Sequence, residues 1–273
     1  MTSRFQGTAA LVSLVGLVAL TASLSAQGRS LEFEFVAGDF SNPTIITNDN
    51  WGLQNVGDTA VYFSESGDGC EVGESKVTSV TPIGFFASPY DIQALVVHDR
   101  EWVAEECDGN YVLVEDTDDW YAQDDHGRVW YLGEDTTAWD EDANCLTQSG
   151  SWQAGSDEAV PGVIMLAEPR PGVSYQQEYY EGEAEDMAKV LRLNADVSIE
   201  FGDYAGCLLT KEYTPLSPGE VEHKFYCGVS EGGPGLALIN ELKGKTKRVE
   251  YVGTGKPAGN FPAAFPTSDL CSE

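Results

Sequence analysis

The sequence predicts a mainly β protein made of two related curved antiparallel sheet units and one short helix. Short β-branched or aromatic runs recur along the chain, and Gly, Asn and Asp separate them, as is typical of strands and turns. An even number of cysteines, six, follows an export-type N-terminus. Only the window Glu183 to Leu193 has the composition of a helix, with acidic residues at its start.

The predicted strands fall into two groups, one in each half of the chain. The first group is Thr59 to Ser64, Ser75 to Val80, Ala94 to Val97, Tyr111 to Glu115, Trp120 to Gln123 and Arg128 to Leu132. The second group is Val173 to Tyr180, Val197 to Phe201, Cys207 to Tyr213, Glu222 to Cys227, Leu236 to Glu241 and Lys247 to Val252.

Two strands of the first group predict a β-hairpin. The aromatic runs of WYAQDDHGRVWYLGE meet at Asp125-His126-Gly127, where a turn requires a residue with positive φ.

A faint internal repeat also connects the two halves. Trp120-Tyr121 parallels Phe225-Tyr226, and Val56-Gly57-Asp58 parallels Pro171-Gly172-Val173.

The chain divides into five segments. Residues 1–26 form a predicted signal peptide, because Arg4 precedes the apolar run AALVSLVGLVAL, which is too short for a membrane span. We place cleavage after Ala26, with Ser25 as the alternative. Residues 27–54 are an N-terminal segment, 55–160 and 161–253 are the two β units, and 254–273 are a C-terminal tail. No integral membrane segment is expected after cleavage, so the predicted location is secreted or periplasmic.

The cysteines predict three disulfides. Cys207 and Cys227 flank the turn-rich TPLSPGE between two strand-like runs, which favours their pairing across a hairpin. Chain proximity then pairs Cys70 with Cys107 and leaves Cys145 with Cys271. None of these residues has C-x-x-C spacing, and no His stands at a zinc-ligand interval, so a metal-thiolate cluster is the weaker interpretation.

The charge is strongly negative, with 45 Asp and Glu against 15 Lys and Arg and a net charge of −30. Such a surface would repel nucleic acid, so we expect no nucleic-acid partner. The sequence leaves the oligomeric state open.

Several ordered blocks resemble an uncharacterised family of secreted bacterial proteins. They are DTDDWYAQDDHGRVWYLGE, GSW with AG, PGVIMLAEPRPGVSYQQEYYEGEAED and TPLSPGEVEHKFYCGV. The resemblance spans roughly residues 55–241 and implies no established activity. Where that family reads Tyr-Ala-Pro-Gly-Val-Gly, this chain has Tyr226-Cys227-Gly228-Val229-Ser230, which suggests a locally added disulfide. More distantly, the strand-rich halves are similar to the half-barrels of periplasmic lipoprotein carriers, which wrap apolar ligands.

The carboxylates between Asp99 and Asp142 suggest calcium as the one candidate cofactor, because calcium takes oxygen ligands. Asp140 to Asn144 resembles the start of a calcium loop. Cys145 stands where that loop needs Gly, and Ser151 where it needs Glu, which excludes an EF-hand. A looser site remains as a hypothesis, and a solvated acidic surface is the alternative. The candidate ligands are Asp116, Asp118, Asp119, Asp124 and Asp125.

No hydrolase signature of the G-x-S-x-G, H-E-x-x-H or S-x-x-K type occurs. The three histidines, His98, His126 and His223, are scattered. Glu178 with Glu181 or Glu183 has the composition of a glycosidase acid pair, but such pairs arise by chance in so acidic a chain. We therefore assign no catalytic residue, and a hydrolase of unknown type is the third alternative.

The aromatic residues favour a binding protein. Alternation along strands turns half of them inward, where they either fill the core or line an apolar pocket. The predicted function is non-enzymatic binding of an apolar or amphipathic small molecule, between a curved sheet and the Glu183 to Leu193 helix. A calcium-dependent surface or interaction protein is the alternative. The candidate ligand-binding residues are Trp120, Tyr121, Trp130, Tyr175 and Tyr179.

Overall fold

The computed structural model describes residues 30–67, 69–84, 91–156, 158–242 and 247–271, and within them the protein is mainly β. The predicted signal peptide lies outside the described residues. The strands are β1 Ser30–Leu31, β2 Thr59–Ser66, β3 Gly69–Ile83, β4 Ile92–Ala104, β5 Val112–Gln123, β6 Val129–Asp140, β7 Cys145–Thr147, β8 Trp152–Gln153, β9 Val160–Met165, β10 Ser174–Gln176, β11 Glu178–Tyr179, β12 Met187–Ile199, β13 Gly202–Tyr213, β14 Val221–Cys227, β15 Gly235–Glu241 and β16 Lys247–Gly253. Two short 3-10 turns, Ala37–Asp39 and Val229–Glu231, complete the elements.

All the strands belong to one sheet. The order is β1-β10-β12-β13-β14-β15-β16-β2-β3-β4-β5-β6-β9-β11, with β7 and β8 also pairing with β6. Apart from the parallel β1–β10 pair, the neighbours are antiparallel. The hydrogen-bonded path is open, with β1 and β11 at its ends. Gln177 alone separates β10 from β11, so one extended segment pairs with β12 through its first part and with β9 through its second.

The predicted helix Glu183 to Leu193 is wrong. Its second half is the beginning of β12, and the residues before β12 form a turn in which Tyr180 pairs with Ala184. The alternation of burial in β12, with Ala188 and Val190 buried between more exposed neighbours, has the two-residue period of a strand. Pairing with β13 on one side and β10 on the other therefore outweighs the local helical preference of the acidic start.

Every predicted strand run overlaps a strand of the structure, and the predicted hairpin is confirmed. β5 ends at Gln123 and β6 begins at Val129. Gly127 lies in the turn with φ of +83°, and the Asp124 carboxylate accepts hydrogen bonds from the backbone N–H groups of His126 and Arg128. The short strands β1, β7 and β8 and the buried strand β9 were not predicted.

Three disulfides connect the strands and the tail: Cys70–Cys107, Cys145–Cys271 and Cys207–Cys227. These are the three pairings expected from the sequence. Disulfides are typical of proteins in oxidising compartments. Among the described residues, no helix is long and apolar enough to cross a membrane.

Both terminal segments cover the sheet. In the N-terminal segment, Phe35 packs edge-on against Trp130 with ring centroids 5.2 Å apart. In the tail, Phe261 packs against Trp102, whose indole N–H donates to the carbonyl of Pro262 at 2.8 Å. These contacts bury sheet surface that would otherwise face water.

Candidate functional site

A cavity of about 200 Å³ lies where side chains of β2, β3, β4, β5, β14 and β15 face one another. Directly paired residues of neighbouring strands share a face, so Ser75 and Asp99, which are register partners, both point into it. We call this space the central cavity. The residues lining it are Asn50, Trp51, Gly52, Leu53, Tyr62, Ser75, Val97, Asp99, Tyr121, Ile164, Lys224, Tyr226, Pro234 and Leu236.

One wall of the central cavity carries a pair of carboxyl groups. Asp99 and Asp119 are diagonal neighbours on β4 and β5, because Asp119 lies opposite Val97 in the register, and Asp119 is 5% exposed. Ser75 donates its hydroxyl to Asp99, and Tyr131 donates its hydroxyl to Asp119. Burial, and then the charge of Asp99, raises the pKa of Asp119 well above its usual range, and burial likewise raises the pKa of Asp99. Protonation of one of the two carboxyl groups would remove the repulsion between them.

Another wall carries Lys224, which forms an ion pair with Glu212, a residue outside the lining. The Nζ of Lys224 lies 2.9 Å from Glu212 and 3.2 Å from Glu222. Glu212 also accepts hydrogen bonds from Thr210 at 2.7 Å and from the Tyr226 hydroxyl at 2.9 Å. Burial alone would raise the pKa of Glu212, but the charge of Lys224 and these hydrogen bonds lower it. This carboxylate is therefore held ionised beside a permanent cation.

Aromatic rings form the apolar part of the lining. Trp51 packs on Tyr121 with ring centroids 4.9 Å apart, and Tyr121 stacks on Tyr131 at the same distance. The edge of the cavity is closed by a tight backbone approach, because a Cβ on Gly52 would lie 2.1 Å from the carbonyl oxygen of Pro234. Any side chain at residue 52 would push these two segments apart, so this glycine keeps the segment that carries Trp51 against the cavity.

More carboxyl groups surround this region. Glu178 is 8% exposed and accepts a hydrogen bond from the indole of Trp152 at 3.0 Å. Burial, with the charges of Asp186 and Glu134, raises the pKa of Glu178 to about 8. Burial also raises the pKa of Glu101 to about 8 and that of Glu134 to about 7, with neighbouring carboxylates adding to both shifts.

Of the five predicted ligand-binding residues, Tyr121 lines the central cavity. Trp130 and Tyr175 are each 1% exposed and belong to the core. Trp120 is partly buried against the same core, and Tyr179 lies in the short strand β11, opposite Val160. The predicted position of the pocket, against a Glu183 to Leu193 helix, is wrong because that segment is a turn followed by a strand.

The five predicted calcium ligands do not converge. Alternation along β5 turns Asp119 toward Tyr131 and the two residues Asp116 and Asp118 to the opposite face, where Asp116 lies 2.8 Å from His98. Asp124 is buried and accepts hydrogen bonds from Arg128 and Trp130. Asp125 accepts hydrogen bonds from Ser41.

Four of the five aspartates, Asp116, Asp119, Asp124 and Asp125, therefore have different local partners. Within the part of the chain that the structure describes, no group of three or more His, Cys, Asp or Glu side chains is arranged to hold a metal ion. The structure therefore corrects the prediction that these five aspartates converge on one calcium ion.

The histidines lie outside the central cavity. His98 contacts Asp116, and His126 lies 3.3 Å from Asp39 with its side chain 63% exposed. His223 lies on β14, directly opposite Lys211 and Asn240 in the sheet register. The charged residues of the cavity, Asp99 and Lys224, were missed by sequence reasoning. The one signal that pointed near them was the match of Trp120-Tyr121 to Phe225-Tyr226.

Comparison with known proteins gives little. No family model matches the chain, and no curated protein matches it. A solved structure of a Bacteroides fragilis NCTC 9343 protein with YmcC-like fold, thought to be exported, is similar over 73% of this chain and 95% of that chain, at 10% identity and a TM-score of 0.34. The resemblance to a family of secreted bacterial proteins stays a prediction.

Proposed function

We propose that the protein is a secreted or periplasmic, non-enzymatic binding protein that holds a small amphipathic molecule in the central cavity. The observation that carries this proposal is the mixed lining. Asp99 and Lys224 supply charge, and Trp51 and Tyr121 supply apolar surface. Pockets that bind small molecules have this character, with a few placed polar groups in an apolar wall.

The volume limits the ligand. Pockets for drug-sized molecules span about 300–1,000 Å³, whereas the central cavity has about 200 Å³. A compact molecule fits this space better than a long-chain lipid does. The proposed ligand is thus smaller than the cargo of the lipoprotein carriers that the strand-rich halves resemble.

We also propose that residues 55–160 and 161–253 are two related curved sheet units. The turn before β2 and the turn before β10 have the same hydrogen bonds to the second strand of each unit. Gly57 donates to the carbonyl of Val77, and Gly172 donates to that of Val190, each at 2.8 Å. In the opposite direction, the N–H of Val77 donates to the carbonyl of Asp58 at 2.9 Å, and the N–H of Val190 donates to the carbonyl of Val173 at 2.8 Å.

The registers of the two units agree as well. Val77 lies opposite Val97, which lies opposite Asp119, and in the second unit Val190 lies opposite Thr210, which lies opposite Lys224. A bulge follows Val77 and another follows Val190.

Counting along the strands from these register partners gives three pairs of corresponding residues in the two units. Asp99 corresponds to Glu212, Tyr121 to Tyr226, and Asp119 to Lys224. The β5–β6 ladder shifts register between Asp119 and Tyr121, and the β14–β15 ladder shifts at the equivalent step, before Tyr226. Asp99, Tyr121, Lys224 and Tyr226 all line the central cavity. The cavity would then lie at the junction of the two units.

Native mass spectrometry of the protein purified from its own host tests the binding function. We expect a bound small molecule on the wild-type protein and its loss in Leu236→Trp, because the larger ring would fill the cavity that Leu236 lines. The matched control is Leu242→Trp, at a surface leucine that is 39% exposed. A bound mass retained equally by both variants, or no bound mass on the wild type, would contradict the proposal.

A further inference from the structure

We infer that the ligand of the central cavity is a small primary amine, bound as its ammonium ion beside Asp99, with its apolar body against Tyr121 and Trp51. This inference rests on the proposed function, since it names the class of molecule that the same cavity takes. It follows from the difference between the two walls and from the charges around them.

The second wall contains an ammonium group beside the corresponding carboxylate. Lys224 occupies the position equivalent to Asp119, and its Nζ lies 2.9 Å from Glu212, the equivalent of Asp99. The chain thus supplies its own cation to one carboxylate. On the first wall Asp119 stands in that place, and Asp99 has a second acid as its neighbour. A ligand ammonium at Asp99 would give the first wall the ion pair that the second wall already has.

Charge also disfavours an anionic ligand. Among the described residues that line the cavity, Lys224 is the one cation, and it already contacts the two carboxylates Glu212 and Glu222. An incoming carboxylate or phosphate would meet Asp99 at the other wall. Rings suit a cation, because the face of an aromatic ring attracts positive charge when an ammonium lies within about 6 Å of its centroid. Three tyrosines and Trp51 line the cavity.

Within this proposal one proton is shared by Asp99 and Asp119, and binding of the ammonium would displace it. An ammonium ion beside the pair favours both carboxylates in their ionised form. The proton therefore leaves to solvent as the cation arrives, and no covalent bond forms or breaks. Release of up to one proton per bound amine distinguishes this mode from binding by apolar contact alone, which would leave the carboxyl pair unchanged.

Isothermal titration calorimetry with n-butylamine, n-butanol and butyrate, which have chains of similar size, tests the inference. At pH 7 we expect saturable binding of n-butylamine and at least tenfold weaker binding of n-butanol and butyrate. Repeating the titration in buffers of different ionisation enthalpy should show proton release with the amine. Asp99→Asn should weaken amine binding at least tenfold and leave butanol binding unchanged. The matched control is Asp196→Asn, at an exposed aspartate of β12.

Each result decides for or against an amine. If butanol or butyrate binds as tightly as the amine, or Asp99→Asn leaves amine binding unchanged, the inference is wrong while binding in the cavity stands. If none of the three probes binds, the molecule found by native mass spectrometry decides, since an amine supports the inference and any other class overturns it. If neither experiment detects a ligand, the inference and the proposed function fail together. Near-ultraviolet circular dichroism of each variant checks that the fold is kept.

Discussion

In the two-unit arrangement that we propose, the two walls of the central cavity occupy equivalent places and have opposite electrostatics. On the first wall Asp99 faces another acid, and burial raises the pKa of both carboxyl groups. On the second wall Glu212 faces Lys224, which lowers the pKa of Glu212 despite burial. One difference of residue type, Asp119 in place of Lys224, replaces a direct ion pair by a pair of neighbouring acids.

The largest expected effect comes from removing the cation of the second wall. Lys224→Met should lower the free energy of unfolding by about 3–5 kcal/mol, because it leaves a buried carboxylate unpaired. Glu212 is 6% exposed, so water cannot replace the lost ammonium. Lys76→Met, at an exposed lysine of β3, is the control and should change stability by less than about 0.5 kcal/mol. Urea denaturation at pH 7.5 measures both changes.

Removing a charge from the first wall should have the opposite outcome. Asp119→Asn keeps an acceptor for the Tyr131 hydroxyl and supplies an N–H donor to Asp99, while it abolishes the repulsion between the two acids. We therefore expect no loss of stability at pH 7.5. If Asp119→Asn costs as much as Lys224→Met in the same urea titration, the two walls do not differ in the way described.

The next effect concerns the Cys207–Cys227 disulfide. In the first of the two proposed units the corresponding positions are Ala94 and Ala122, both with no exposed surface. The scaffold therefore accepts alanine there, and Cys207→Ala with Cys227→Ala should lose only the constraint on the unfolded chain, about 3 kcal/mol for a loop of this length. Denaturant unfolding of the double variant measures the loss. A variant that does not fold would show that the second unit depends on its disulfide in a way that the first does not.

The strands could be predicted because their signals, β-branched runs and turn residues, are local. The disulfides followed from the even cysteine count, from the turn that Cys207 and Cys227 flank and from chain proximity, although the bridges span 20 to 126 residues. The helix prediction failed because the acidic residues before Met187 suggest a helix start, whereas pairing with β10 and β13 decides the structure. Tertiary context outweighs such weak local preferences.

The central cavity could not be predicted because it depends on the register of distant strands. Asp99 and Lys224 are far apart in the sequence, and the bulges that set their rows leave no mark in composition. The dense carboxylates of β5 suggested a calcium site because the sequence alone does not show which of them share a face. Alternation and the local partners of Asp116 and Asp124 disperse them, which only the structure reveals.

A smaller effect comes from buried acids whose pKa is raised. Glu178 has a pKa of about 8, above its unfolded value. Between about pH 4.5 and 8 this carboxyl group is therefore protonated in the folded protein and ionised in the unfolded chain. This acid contributes stability below pH 4.5 and loses it as pH rises toward 8. Glu212 has the opposite sign, since its lowered pKa contributes stability that is lost on acidification.

Glu178→Gln tests this assignment. The amide keeps an acceptor for the Trp152 indole and cannot ionise, so the variant should be about 2 kcal/mol more stable than the wild type at pH 8 and similar to it at pH 5. Glu168→Gln is the control, because the side chain of Glu168 is 81% exposed. Thermal melts between pH 5 and 8 measure the difference. Equal slopes of melting temperature against pH in the wild type and Glu178→Gln would contradict the raised pKa.

The smallest effect compares the turns that open the two proposed units. Gly57 and Gly172 have φ of +101° and +86°, and no atom would contact a Cβ at either position within 4 Å. Gly57→Ala and Gly172→Ala should therefore each cost about 1 kcal/mol from backbone strain alone, since an L-residue pays about 1–2 kcal/mol in the left-handed region. Gly38→Ala is the control, because Gly38 also has free space but no left-handed φ, and we expect a change below about 0.5 kcal/mol. Equal costs at Gly57 and Gly172 in urea denaturation would support two equivalent turns. A difference above about 1 kcal/mol would mean that the turns contribute differently to stability, and the correspondence of Asp99 with Glu212, which is counted from them, would lose its starting point.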